Sequence, residues 1–358
     1  MILFKNISLI ASLILMVTAI FPCKARDMRI DISEEARATV TEQKLSRDIE
    51  FLSDSLCGGR ATGTSGAMET ASWISRRFTK LGLVPLGTSY IHSFKTQPSG
   101  TGRNVIGLLG GKSSGSGKPS GSDKSSGNGK GQYIIIMASF DGLGIRGGNI
   151  YPGADSNASG VAALLSIAEM MSLSRDLGRE YDADVIFVGL DAKYLSFSGS
   201  NALWAEIASG SLRDGQGRCI GPENIKLVLN IDQIGSSLSP LKSGRKDYLI
   251  MLTGSIGTKE VQQANKSKGT ALDIAFDYYG SRDFTNVFYR RAGDQKVFVE
   301  HKIPAVLATS GITMNNNKLT DTLDNLDLPV MKRRIWLLWN WTERMAGIAS
   351  GDNKVKKA

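Results

Sequence analysis

From residue 132 onward, short and nearly continuous apolar runs alternate with longer helical segments, and this alternation narrows the available folds more than any other feature. "QYIIIMA" (132–138) is followed by the helical "SGVAALLSIAEMMSL", the run "DADVIFVGL" by "GSNALWAEIA", and "NIKLVLNI" and "KDYLIMLTG" by a helix from about Thr258. "ALDIAFDY", a helix near "DQKVFVEHK", the strand "PAVLAT" and a last amphipathic helix from about Leu328 to Ile348 complete the series. Runs with no polar alternation have no face to offer water, so they read as strands buried on both sides. Such strands, interleaved with helices, imply an α/β fold with a mostly parallel central sheet between two helical layers.

Upstream, "TEQKLSRDIEFLSD" has helical periodicity, and so does "AMETASWISRRFTKLGL", with Met68, Ala71, Ile74, Phe78 and Leu81 on one stripe. "RNVIGLLG" is a further strand. Between it and "QYIIIMA" lies 111–131, "GKSSGSGKPSGSDKSSGNGKG", which has no apolar residue to bury and reads as a flexible insertion. If the two strands form a hairpin, its tip points away from Ser139 at the end of the second, so the tract is expected to be remote from any site there. The chain starts with Lys5, the apolar run "ISLIASLILMVTAIF" and "PCKARD", the layout of a signal peptide over 1–25 with a small residue, Ala25, at the cleavage point. The expected organisation is a signal peptide (1–25), one α/β domain (26–348) carrying the insertion, and a basic tail (349–358). An exported protein is expected, periplasmic or extracellular, with no transmembrane segment after cleavage. Lipid anchoring through Cys23 is the alternative. Export permits a disulfide, but Cys57 and Cys219 alone do not show pairing.

A net charge of +9 invites a nucleic-acid reading, yet the first 25 residues, the tract and the tail carry +2, +3 and +2 of it. The remainder is nearly neutral, which argues against a nucleic-acid partner.

In parallel sheets function gathers at the carboxyl ends of the strands. Those ends are "SFDGLG", "DAKYLS" and "DQIG", which put forward Ser139, Asp141, Asp191, Lys193, Tyr194 and Asp232, with Asp155 and Ser156 of "GADSN" at the mouth of a helix. Asp141, Asp155 and Asp232 together would make an all-oxygen site fit at best for magnesium or calcium. Lys193 opposes any cation there, and acids in such turns commonly cap helices and bind loop amides. The second reading is preferred. The two histidines, His92 and His301, lie at no expected strand end and read as surface or edge residues.

The ordered motifs "GGRATGTSG", "NVIGLLGG", "GADSNASG", Gly199-Ser200, "LNIDQIG", "HKIPAV" and "TDTLDNLD" together resemble the zinc aminopeptidase family of the bacterial leucyl aminopeptidases, whose relatives include glutaminyl cyclase. The resemblance covers roughly 45–348. It implies a phosphorylase/hydrolase-like three-layer α/β/α sandwich and, in active members, two zinc ions. Carried over position by position, the zinc ligands fall at Ser139, Ser156, Tyr194, Asp232 and Asn317, and the general base falls at Lys193. Of these, Asp232 alone is a metal-binding side chain. Asp141 matches a residue that orients the histidine missing at 139. One carboxylate with hydroxyls and an amide is no zinc site, and without zinc a water stays far too weakly acidic to yield hydroxide at neutral pH.

The expectation is a member of this group without zinc or peptidase activity, binding a peptide or protein in the former active-site cleft. Related ectodomains, those of transferrin receptor and nicastrin, are used for recognition rather than hydrolysis. Lys193 is expected to pair with Asp232 or Asp141 in place of the lost positive charge. Two alternatives are an active metal-dependent aminopeptidase with a rearranged zinc site, and a metal-free hydrolase using a Ser139/Lys193 dyad.

Overall fold

The computed structural model describes residues 29–97, 100–111, 132–254, 256–348 and 354–356. The proposed signal peptide, nearly all of the Gly/Ser tract and most of the tail lie outside them. In chain order the elements begin with β1 (Arg29–Asp31), α1 (Ile32–Ala38), α2 (Glu42–Ser53), α3 (Ser65–Lys80), β2 (Val84–Pro85), β3 (Ile91–Thr96), β4 (Gly100–Leu109) and β5 (Tyr133–Ser139). A small hairpin, β6 (Ile145–Arg146) and β7 (Asn149–Ile150), precedes α4 (Ser159–Asp176), β8 (Asp184–Leu190), α5 (Ser198–Ser209) and β9 (Ile225–Ile231). Then follow β10 (Tyr248–Leu252), α6 (Thr258–Ala264), β11 (Asp273–Ala275), α7 (Arg282–Arg290), α8 (Gln295–Glu300), β12 (Ala305–Thr309), α9 (Leu328–Ala346) and β13 (Lys354–Lys356).

Nine strands form one sheet in the order β11-β10-β12-β9-β5-β8-β4-β2, with β3 on β4. The central four, β12, β9, β5 and β8, are parallel to one another. β4 runs antiparallel to β8, and β10 antiparallel to β12. The buried apolar runs form the expected strands, and their alternate residues feed two cores. Ile134, Ile136 and Phe187 face the layer of α3, α4 and α9, while Ile135, Met137 and Val188 face α5 and α8. On α9 the two indoles of Trp339 and Trp341 are fully buried. Burying large apolar side chains is worth about 1.5–3 kcal/mol each, which explains why a long helix with several cations on its outer face stays clamped to the sheet.

The hairpin expected between β4 and β5 does not form, because β8 is inserted between them. Each central strand gains more by pairing on two sides than a hairpin allows. The tract still leaves from Gly111 and returns at Gln132, next to the first residue of β5, so its attachment points are at the end of the sheet away from Ser139. The helices α1 and α7 and the strands β1, β2, β3, β6, β7 and β13 were not expected from the sequence. Lys354–Lys356, within the expected tail, pairs antiparallel with β1. Cys57 is buried, Cys219 is exposed, and both are free thiols. Among the described residues no helix is long and apolar enough to cross a membrane.

Candidate functional site

The carboxyl ends of β5, β8, β9 and β12 converge, and a single amide fastens two of them. The Asn157 Nδ2 donates to the carbonyls of Ser139 (3.2 Å) and Ile231 (3.0 Å), while its Oδ1 accepts from the N–H groups of Gln233 (2.9 Å) and Gly160 (3.1 Å). Asn157 thus ties β5, β9 and the start of α4 together. Beside it, Asp155 accepts from the Gly235 N–H (2.8 Å), the Ser159 hydroxyl (2.9 Å) and the Ser236 hydroxyl. Burial raises its pKa, and those hydrogen bonds oppose the rise. Ser156 is held by Asp321, to which it donates through its hydroxyl and its N–H, while the Asp155 N–H reaches the other Asp321 oxygen at 2.7 Å. Asp155 and Ser156 therefore build the turn; Asp155 binds a loop amide as expected of the acids here, whereas Asp232 pairs with Lys193 instead. Beneath the turn the fully buried Arg60 donates to the carbonyls of Leu52, Phe140, Pro152 and Gly153.

The loop after β8 supplies the charge. The Lys193 Nζ lies 2.6 Å from an Asp232 oxygen, with both side chains mostly buried. Burial acts to lower the Lys193 pKa, but Asp232 and Asp294 outweigh it and hold the ammonium above its usual range. Asp294, just before α8, accepts from the Ser200 hydroxyl at 2.8 Å. Burial pushes its pKa up to about 6, against the pull of Lys193. Asp141 accepts from the Tyr194 N–H at 3.1 Å, and burial together with the neighbouring Asp191 pushes it up to about 8. Asp191 is itself engaged by the Thr62 hydroxyl (2.7 Å) and the Arg103 N–H (2.9 Å), behind the cleft rather than in it. The Tyr194 hydroxyl donates to Asn317 at 2.6 Å across the mouth. Gly199 explains the motif in which it stands: a Cβ there would lie 2.0 Å from the Asp191 carbonyl oxygen, so only glycine lets α5 start this close to β8.

These side chains border a cavity of about 150 Å³ with Lys193, Tyr194, Asp232 and Asn317 on its polar side and Tyr278, Phe288 and Ile312 on its apolar side. Four of the eight residues placed in the cleft from sequence line it, whereas Ser139, Asp141, Asp155 and Ser156 do not. One oxygen each of Asp232 and Gln233 is buried there without a hydrogen-bond partner among the described residues. Asn157 and Asp294 were missed in sequence: neither "GADSN" nor "AGDQK" distinguishes them from ordinary residues at a helix start. Neither histidine is near. His92 lies between Glu206 and the Leu86 carbonyl, and His301 stacks on Trp204 with ring centroids 4.1 Å apart.

The donor set does not fit a two-zinc centre. Ser156 is committed to Asp321, Tyr194 to Asn317 and Asp232 to an ammonium. Among the described residues no group of three or more His, Cys, Asp or Glu is placed to hold a metal ion. Zinc is bound by thiolate, imidazole and carboxylate.

A mixed sheet with a parallel centre, helices on both faces and a cleft at the carboxyl ends is the architecture of aminopeptidase-like proteins. The family model described as peptidase family M28 matches residues 123–342, and the chain belongs to that family. Among solved structures it is similar to the LapA aminopeptidase of Legionella pneumophila, with 15% identity, a TM-score of 0.64 and coverage of 88% of this chain and 75% of that one. It is also similar to a zinc aminopeptidase of Bacillus subtilis (11% identity, TM-score 0.60, 87% and 96% covered) and to the glutaminyl cyclase of Macrostomum lignano (16%, 0.59, 92% and 96%). At these identities the likeness establishes the fold. No curated protein matches significantly in sequence.

Proposed function

We propose that this protein is an exported member of the family that has lost zinc-peptidase activity and serves as a binding module, taking a peptide or protein ligand at the former active-site cleft. The observation that carries the reading is the Lys193–Asp232 ion pair. It puts an ammonium where the resemblance expects the general base, and it occupies the one metal-type carboxylate left at a ligand position. A lysine held above its usual pKa is also a poor proton acceptor, which weighs against a Ser139/Lys193 dyad. The partly exposed Tyr194 and Ile312, which line the cleft, offer apolar contact area to a polypeptide. The export part rests on the N-terminal sequence, and cell fractionation of the full-length protein tests it.

The decisive experiment is metal analysis by mass spectrometry on untagged protein dialysed against excess zinc, followed by assay on aminoacyl substrates. Near-zero zinc with no turnover is expected. One or two tightly held zinc ions per chain together with aminopeptidase turnover would overturn the proposal in favour of an active enzyme with a rearranged site.

A further inference from the structure

A second and larger cavity lies on the other side of α7 from the cleft: Phe288 borders the cleft, whereas Thr285, Asn286, Tyr289 and Arg290 border this cavity. β10 runs antiparallel to β12 with Leu252 opposite Leu307, and the cavity extends from there to Ile303 and Pro304, just before β12. The cavity has a volume of about 580 Å³, within the range of roughly 300–1,000 Å³ typical of small-molecule sites. Leu252, Ile256, Phe276 and Ile303 give it apolar walls, and Arg290 and Lys302 are its charged lining residues, with no aspartate or glutamate on the wall. Neither cation takes part in an ion pair among the described residues. Thr253, only 3% exposed, also lines the cavity, and its hydroxyl makes no hydrogen bond among the described residues.

The helix above the cavity is under-packed. α7 has the sequence "RDFTNVFYR" and no buried residue, although it carries Phe284, Val287, Phe288 and Tyr289. Its 285, 286, 289 and 290 positions line the cavity. An amphipathic helix normally gains its stability by laying an apolar face on the core. Here Tyr289 lines the cavity with the polar Thr285, Asn286 and Arg290, while Phe288 stacks on Tyr278 on the cleft side. A ligand with an apolar body would supply the missing contacts, and two cations without a counter-charge at the rim would fix the sign of its head group.

We infer that this cavity is a binding site for a small amphiphile with one anionic head group, of which a medium-chain carboxylate is the simplest case. The apolar body lies between α7 and the ends of β10 and β12, and the head group meets Arg290 and Lys302. The site shares no lining residue with the cleft, although α7 borders both, and the inference does not rest on the function proposed above.

Isothermal titration of the full-length protein with decanoate, below its micelle concentration, tests the inference, with decylamine and decanol as comparators. Arg290→Glu and Lys302→Glu are exposed changes, and thermal melts establish that each variant is folded. One decanoate per chain is expected, with affinity falling roughly tenfold for each charge reversed, decanol weaker and decylamine not bound. Unchanged decanoate affinity in Lys193→Met is expected as well, since that residue belongs to the cleft. Absence of decanoate binding, equal binding of decylamine, or affinity indifferent to both reversals would each overturn the assignment.

Discussion

Lys193 shows how one side chain changes what a site can do. Its ammonium lies against Asp232 and in the field of Asp294, both mostly buried. Reversing its charge would place a third carboxylate beside two others with no cation among them. Lys193→Glu is therefore expected to cost about 3–5 kcal/mol, the range for breaking a buried pair, read as a lower urea midpoint. An unchanged midpoint would show that the pair does not support the fold. Asp141 gives a pH signature. Its folded pKa, about 8, is above the ordinary carboxylate value, so between about pH 4 and pH 8 the folded state binds the extra proton and stability falls as pH rises. Asp294, at about 6, adds to the fall only in the lower part of that window. In Asp141→Asn the decline between about pH 6 and pH 8 should flatten while wild type keeps it. Parallel stability curves would refute the assignment.

At the level of elements, the cleft depends on strand ends held in register by groups that never touch a ligand. Asn157 joins β5, β9 and α4, and Gly199 lets α5 approach the end of β8. Gly199→Ala should force the start of α5 outward, disturbing the Ser200 bond to Asp294, and lower stability by about 1–3 kcal/mol, as overpacking does. A wild-type melting temperature in that variant would mean the loop yields freely. The helix periodicity of α3 and α9 was legible because each lays one broad apolar stripe on the sheet. α7 carries the same spacing in Phe284, Val287 and Phe288, but in a helix of nine residues that stripe is too short to stand out from a loop.

For the molecule as a whole, a ligand that binds only the folded state raises the melting temperature, by a stabilisation that grows with the logarithm of its concentration over its Kd. Millimolar zinc is accordingly expected to leave the melting temperature unchanged, and a rise of several degrees would point to a metal site that the ligand positions do not predict. The amino-acid sequence alone determined the buried strands, their interleaved helices and the identity of the residues at each strand end. Continuous apolar runs allow only a sheet covered on both faces, and Ser139, Lys193 and Asn317 are not zinc ligands in any conformation. Tertiary structure decided the rest. Strand order is set by pairing between segments far apart in the chain, so sequence could not show β8 slipping between β4 and β5. It could not show which of two carboxylates would meet Lys193, since that choice depends on where backbones cross in space. Nor could it place Asp294 beside them: its electrostatic role comes from burial near a lysine about a hundred residues earlier, and distance through space, not along the chain, governs that interaction.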